Sequence, residues 1–376
     1  MTKSAVLGKV NTRKLILKLL RQTSLSRAEL ARQTGLTRAA ISQITEELIR
    51  DGLVIETEKA YLSSRGRTPT LLQVVPSAMY CIGVQLSRNK IRYGIADFSG
   101  KLVVRNTLET YGKRSAEDIL KEVTEGISAL VLRENISWEK IYGIGVSAPG
   151  PLDAVNGKIL NPPNFSQWKN VPVAKRLTEL LLLPCFLEND ANALALQYAL
   201  NGDFLERDDF LLVLADSGFG SGLIHNGKLL RSSSGFSCEL GHTSINFRGP
   251  VCSCGNRGCL EGYASIPSLM KNYQRYGDWQ SLLASSQAEE AMTQEAEYLS
   301  AGIVNLCNII PVKAVLLAGE LALAGDPLIS KLETQIQNRP MSLQDEKLVV
   351  YAAPEQDLDY VCSAANIALC HYLEIC

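Results

Sequence analysis

Between positions 242 and 259 the chain carries one histidine and three cysteines, His242, Cys252, Cys254 and Cys259, in the spacing H-x9-C-x-C-x4-C. Donors so close in sequence must either share a metal ion or sit as unligated core side chains. The intervening Gly255, Gly258 and Asn256-Arg257 suit a tight, solvent-facing loop better than a core. Four soft ligands also complete a tetrahedron and leave no place for a catalytic water. The pattern therefore predicts one structural zinc ion per chain. The other seven cysteines are scattered, often in apolar runs, and read as small core residues.

No disulfide framework is expected, because nothing marks the chain for export. Lys3, Lys9, Arg13 and Lys14 arrive without a long apolar stretch, so no signal peptide is read and a cytoplasmic location is expected. Runs such as Leu180–Leu183 and Ala314–Ala318 fall far short of the ~18 residues a membrane span needs. A composition of 46% hydrophobic and 20% charged residues excludes wholesale disorder.

The formal net charge of −1 hides a split. Residues 1–75 hold 13 Lys+Arg against 6 Asp+Glu, or +7, which leaves 25 against 33, or −8, for the remainder. A basic segment on an acidic body is the electrostatic footprint of a nucleic-acid-binding module.

The basic segment has the matching pattern. Leu15, Ile16, Leu19 and Leu20 recur with a helical period over residues 12–22. Ser26-Arg-Ala-Glu29 is a capping box that opens a second helix through Thr34. Gly35 allows a left-handed exit, and Thr37 can cap a third helix with a buried face of Ile41, Ile44, Leu48 and Ile49. Ala31, Gly35 and Ile41 thus have helix-turn-helix spacing. Thr37, Arg38, Ala39, Ser42 and Gln43 would face the major groove. Leu53-Val-Ile55 and Tyr61-Leu62 read as the two strands of a wing. After them comes Ser64-Arg-Gly-Arg-Thr-Pro69, either a flexible basic linker or a segment whose Arg65 and Arg67 enter a minor groove. A helical protein–protein module is the alternative reading of the whole segment.

From Met79 onward strands and helices alternate in a ββαβα order met twice, which predicts a two-lobed α/β body. Strands are expected at residues 80–86, 90–97, 101–107, 185–187, 210–215 and 222–225, and helices at 116–133 and 190–200. Three features carry chemistry. Glu188-Asn-Asp-Ala-Asn192 stands at a strand-to-helix junction, where it either caps the helix or reaches a ligand. Glu239 and Glu261 flank the metal set, which would hold both carboxylates rigidly toward one cavity. Asp216-Ser-Gly-Phe-Gly-Ser-Gly222 is a glycine-rich turn that could cradle phosphate or be an ordinary turn.

In order along the chain, Ala148-Pro-Gly150, Glu188-Asn-Asp-Ala-Asn192, Glu239-Leu-Gly-His242, the three-cysteine module and Gly258-Cys-Leu-Glu261 resemble the ROK family of repressors and sugar kinases. The resemblance covers nearly the whole chain and implies an actin-like/sugar-kinase (ASKHA) fold with a sugar cleft between lobes. It places a winged helix-turn-helix with basic linker at residues 1–72. A smaller α/β lobe follows at 78–189 and 358–376, and a larger one at 190–357 with the zinc module at 242–261. By motif match Asn189, Asp190, Glu239, His242 and Glu261 would contact sugar hydroxyls, with Gly150 close by. In kinase members the aspartate matching Asp190 takes a proton from the attacked hydroxyl.

The chain departs from the kinase pattern at both phosphate loops. Gln85-Leu-Ser-Arg-Asn89 stands where kinases have an acid and glycines, Asp216-Ser-Gly218 where they have Gly-Thr-Gly, and Ala318-Gly-Glu320 replaces a Gly-Gly. Phosphoryl transfer depends on positioning and neutralising phosphates, so no catalytic residue is expected. The reading is a transcriptional regulator, most simply a repressor of sugar-metabolism genes. Its partners would be operator DNA, a sugar or sugar-phosphate effector and a second copy, as a homodimer or tetramer. An ATP-dependent hexose or N-acetylhexosamine kinase bearing a DNA-binding domain is the alternative. A body that answers to a protein partner is a third.

Overall fold

The computed structural model describes residues 3–57, 70–88, 90–110, 114–162, 165–201, 208–216, 218–231, 238–337, 339, 347–353 and 359–374. It is an α/β protein with an N-terminal winged helix-turn-helix and falls into two compact units. One comprises Met1–Asn189, Leu196–Gly202 and Tyr360–Cys376, and the other Asp190–Ala195 and Asp203–Asp359.

The first unit opens with α1 (Lys3–Gln22), β1 (Leu25–Ser26), α2 (Arg27–Thr34), α3 (Arg38–Arg50), β2 (Val54–Thr57) and β3 (Leu71–Val74). Ile16, Leu17 and Leu20 of α1 are buried, while Leu15, part of the same apolar period, is 44% exposed. The helix begins nine residues before the expected position 12, at Lys3, and its inner face is rotated to bring Leu17 inward. On α3, Ile41, Ile44 and Leu48 are buried as expected, but Ile49 is half-buried and Thr45 takes the inner position.

Among the described residues the wing pairs β2 with β3. β3 lies between β1 and β2, with Val54 opposite Val74 and Thr57 opposite Leu71. Tyr61 and Leu62 lie outside the described residues, as do Arg65 and Arg67. The Arg-Gly-Arg stretch, expected after the wing, therefore falls in sequence between its two paired strands.

The remainder of this unit is a sheet ordered β10-β7-β4-β5-β6, built from β4 (Tyr80–Leu86), β5 (Lys90–Asp97), β6 (Leu102–Glu109), β7 (Ile141–Ala148) and β10 (Cys185–Asn189). The short hairpin of β8 (Leu152–Asp153) and β9 (Lys158–Ile159) follows β7. Helices α4 (Ala116–Arg133) and α5 (Val173–Leu181) contribute to the core with Ile119, Val123, Ile127 and Leu177. The C-terminal helix α12 (Tyr360–Leu373) lies directly on bare sheet backbone. A Cβ at Gly83 would fall 2.0 Å from Val361 O, and one at Gly145 only 1.8 Å from Ala364 O. These two glycines let helix and sheet backbones touch.

Helix α6 (Asp190–Asn201) starts in the second unit and ends in the first. The second unit has its own sheet, β13-β12-β11-β14-β15, from β11 (Phe210–Ala215), β12 (Phe219–His225), β13 (Lys228–Leu229), β14 (Ala314–Ala318) and β15 (Val349–Ala352). Its core gathers Leu211, Val213, Val315 and Leu317 with residues of α7 (Glu261–Ala264), α8 (Ile266–Met270), α9 (Trp279–Leu283), α10 (Ala288–Cys307) and α11 (Gly325–Ile336). Among the described residues no helix is long and apolar enough to cross a membrane.

Gly145→Val should cost about 3 kcal/mol or more, because the added carbons meet helix backbone that cannot yield. Gly262→Ala, facing open space, should leave the melting temperature within a degree. Differential scanning calorimetry of the two variants checks the contrast.

Candidate functional site

The helix-turn-helix is built from local hydrogen bonds. Ser26 Oγ accepts from Glu29 N–H at 3.2 Å and Glu29 Oε2 accepts from Ser26 N–H at 2.8 Å. Gly35 has φ +70°, the left-handed turn that separates the helices. Thr37 Oγ1 accepts from Ala40 N–H at 3.2 Å, so this residue caps α3. Thr37, Arg38, Ala39 and Gln43 are exposed and Ser42 is half-buried. Buried Thr45, which pattern reading missed, accepts from Arg27 Nε at 3.1 Å and donates to Ser42 O at 3.1 Å. It thereby ties α2 to the start of α3. The signal for it was only a polar residue on an apolar helix face.

The four metal-type residues come together. The donor atoms of His242, Cys252, Cys254 and Cys259 all lie within 4.8 Å of one another. Cys252 Sγ is 3.8 Å from His242 Nδ1, and Cys254 Sγ is 3.7 Å from Cys259 Sγ. Ligands about 2.3 Å from a tetrahedral zinc sit about 3.8 Å apart, so the set fits such an ion. The loop that presents them turns at Gly255 and Gly258, with φ of +93° and +63°. Asn256 Nδ2 donates to His242 O at 3.1 Å and ties the loop to the histidine. Burial and the neighbouring sulfurs push the Cys259 thiol up to about 12.

The other ring nitrogen of His242, Nε2, lies 3.8 Å from Glu261 Oε2. Cluster and carboxylate thus meet through one imidazole, Nδ1 toward the sulfurs and Nε2 toward Glu261. Glu239 immediately precedes the short 3-10 turn that carries His242. Burial and then Glu261 raise its carboxyl above the usual range, against a lowering by His242. Ser221 on β12 holds this segment from both sides. Its hydroxyl donates to Cys238 O at 2.6 Å and accepts from Leu240 N–H at 3.2 Å. Sequence reading passed over Ser221 as part of a glycine-rich turn.

Asp190 opens α6, and its Oδ1 accepts from Ala191 N–H at 2.8 Å. Its carboxyl is pushed up to about 6, first by burial and also by the nearby Asp216 and Glu239 carboxylates, against the Ala191 N–H. Asp190, Glu239, His242 and Glu261 are therefore neighbours within the second unit. In the first unit Gly150 lies beside Asn189, whose Nδ2 would be 3.4 Å from a Cβ at that glycine. Glu188, fully buried, accepts from Asn189 N–H at 2.8 Å.

The stretches that depart from the kinase pattern make hydrogen bonds within the chain. Asp216 Oδ1 accepts from Glu320 N–H at 2.6 Å. Gly319, at φ +77°, packs so closely that a Cβ would fall 2.3 Å from the same oxygen. In the other stretch Gln85 Oε1 accepts from Arg92 Nη1 at 2.5 Å, and Arg92 lies over the Tyr360 ring at 5.6 Å. These partners are remote in sequence and could not be found by motif.

The ROK family model matches residues 81–369, and a winged helix-turn-helix DNA-binding model matches residues 11–55. The chain belongs to the ROK family. It is 30% identical over 375 residues to a xylose repressor of Caldicellulosiruptor bescii, covering 94% of this chain and 93% of that protein. Its fold is similar to the crystal structure of a ROK family transcriptional regulator, a homologue of the Escherichia coli Mlc protein. That likeness has a TM-score of 0.77 at 24% identity and covers 97% of both chains. A ROK hexokinase from Thermus thermophilus is similar to 79% of this chain and to all of its own length, at TM-score 0.67 and 27% identity.

Ser221→Ala leaves the Cys238 carbonyl and the buried Leu240 N–H without this partner. It should cost about 1–3 kcal/mol in thermal unfolding. Ser253→Ala, on an exposed residue, should cost nothing measurable.

Proposed function

We propose that this chain is a DNA-binding transcriptional repressor of sugar-metabolism genes that is controlled by a sugar or sugar derivative and works in the cytoplasm. Thr37, Arg38, Ala39, Ser42 and Gln43 read the operator from the start of α3, with Arg65 and Arg67 of the wing segment in the minor groove. Asn189, Asp190, Glu239, His242 and Glu261 hold the sugar hydroxyls, with Gly150 leaving room beside Asn189. His242, Cys252, Cys254 and Cys259 hold one zinc ion, whose work is structural. It would fix the imidazole so that Nε2 stays directed at Glu261 and the sugar. A homodimer matches an operator of two half-sites about 34 Å apart.

The observation that favours a sensor over a kinase is the bond between Asp216 and the Glu320 N–H. A carboxylate there repels phosphate, and the turn it holds is not free to receive a nucleotide. Asp190 then serves as a hydrogen-bond acceptor for a sugar hydroxyl, with no phosphoryl group to pass on.

Fluorescence anisotropy on DNA from upstream of the chain's own gene, with xylose, glucose and N-acetylglucosamine as probes, tests the reading. One probe should weaken operator binding at least tenfold. Arg38→Ala should weaken operator binding at least tenfold and leave sugar binding intact. Turnover of ATP with any of the three sugars, lost in Asp190→Ala, would replace the sensor with a kinase.

Metal analysis should find one zinc per chain, and Cys254→Ser should lose both the zinc and the sugar response. Cys185→Ser should keep both.

The raised carboxyl of Asp190 sets a pH dependence. Burial pushes it up to about 6, well above the ordinary carboxylate value, so the fold disfavours its ionised form. The empty protein therefore loses stability as pH rises from about 4 to about 6. A sugar hydroxyl donates a stronger hydrogen bond to the charged carboxylate than to the neutral acid. Affinity measured by calorimetry should therefore fall by up to about tenfold per pH unit below about 6, and Asp190→Asn should flatten that slope.

A further inference from the structure

Helix α1 does more than support the reading helices. Arg21, near its C-terminal end, is buried at 8% exposure, and its Nε donates to Phe98 O at 2.6 Å, in the turn between β5 and β6. Neither Nη1 nor Nη2 has a hydrogen-bond partner among the described residues. A guanidinium carries five N–H donors, and leaving most of them buried and unmade is unfavourable. Burial pulls Arg21 down to about 10, which still leaves it charged at neutral pH.

The neighbour that could satisfy it is the end of α6. A Cβ at Gly100, whose φ is +87°, would fall 2.5 Å from Arg21 Nη2 and 2.9 Å from Asn201 Nδ2, with Asn201 Oδ1 at 3.5 Å. The guanidinium and the amide thus rest on the bare backbone of one turn. Asn201 is the last residue of α6, and Asp190 is its first. Twelve residues of α-helix make a stiff rod about 18 Å long. Its first half belongs to the unit of Glu239 and Glu261, and its second half to the unit of α1.

We propose that Arg21 is the positioning residue through which α6 passes the state of Asp190 to the DNA-binding module. An effector that engages Asp190 displaces the rod, and Asn201 gains or loses contact with the guanidinium over Gly100. In the structure Nη2 has no acceptor; in the second arrangement of this proposal it donates to Asn201 Oδ1. A small shift at one end is thereby converted into a made or broken bond on the last turn of α1. α1 is also tied to the reading helix, since Arg13 bonds Glu47 at 3.2 Å and pairs with Asp51. This inference rests on the sugar-controlled repressor proposed above.

The test measures operator dissociation constants of the full-length protein with and without saturating xylose, and with glucose if xylose is inactive. Arg21→Lys keeps the charge without the planar fork, and Asn201→Ala removes the acceptor. Both should keep the melting temperature within a few degrees and bind the sugar within twofold of the parent. The sugar-induced loss of operator affinity should shrink from at least tenfold to under twofold. A merely structural Arg21 would lower the melting temperature and leave that ratio unchanged, and an unchanged ratio in both variants overturns the proposal. A second arm uses no sugar. Asn201→Asp sets a carboxylate over the same turn and should shift operator affinity at least fivefold, an effect abolished in the Arg21→Met background. No shift in that arm overturns the coupling whichever effector the protein takes. A parent protein that ignores every sugar, with the sugar-free shift intact, instead overturns the effector reading alone.

Discussion

The backbone hydrogen bonds of α6 are the constraint on which the rest of this structure depends. The strand β10 ends at Asn189 and the helix starts at Asp190 with no loop between them. Two residues proposed to touch the ligand are therefore fixed by a strand terminus and a helix terminus, the stiffest places a short chain segment can offer. The first half of the helix is seated on β12 by close packing. A Cβ at Gly222 would fall 2.8 Å from Ala191 O and from the Ala195 methyl. Its far end lies against Gly100, beside Arg21 of α1.

Charge crowding explains the rest of the second unit's site. Burial, and then the Asp216 and Glu239 carboxylates, disfavour the ionised form of Asp190, while burial and Glu261 disfavour that of Glu239. Such a group would disperse without restraints. Ser221 restrains Glu239, the Glu320 amide restrains Asp216, and the Ala191 amide restrains Asp190. His242 links the carboxylates to the cluster of sulfurs, so the same ring serves the metal-type set on one side and Glu261 on the other. Hydrogen bonds from neutral donors hold these acids in place without cancelling their charge, which leaves them able to accept from hydroxyl groups.

Features made by near neighbours in sequence could be read without coordinates. The capping box at Ser26, the left-handed Gly35 and the boundaries of α4 at Ala116 and Arg133 depend on residues a few positions apart. The cysteine module is of the same kind, because its spacing already dictates a closed loop. Other features are decided by partners distant in sequence. Leu15 shares the apolar period of residues 12–22 and is nonetheless exposed, while Ile16, Leu17 and Leu20 are buried. The described partner of Val54–Thr57 in the wing is Leu71–Val74, while the expected strand at Tyr61-Leu62 lies outside the described residues. A short strand is chosen by its sheet neighbours more than by its own composition.

What the sequence by itself determined is therefore the set of parts: a basic helix-turn-helix, an α/β body, a Cys3His loop and a run of acids and amides at 188–192. Each follows from periodicity or spacing within a few turns of chain. Only the tertiary structure decided how those parts are restrained. Asp216 meets Glu320 across 104 positions, Ser221 meets Cys238 across 17, and Arg21 meets Phe98 across 77. A lone polar residue carries no mark of its distant partner. The pairing exists only once the folded backbone has removed both groups from water and made an unmet hydrogen bond costly.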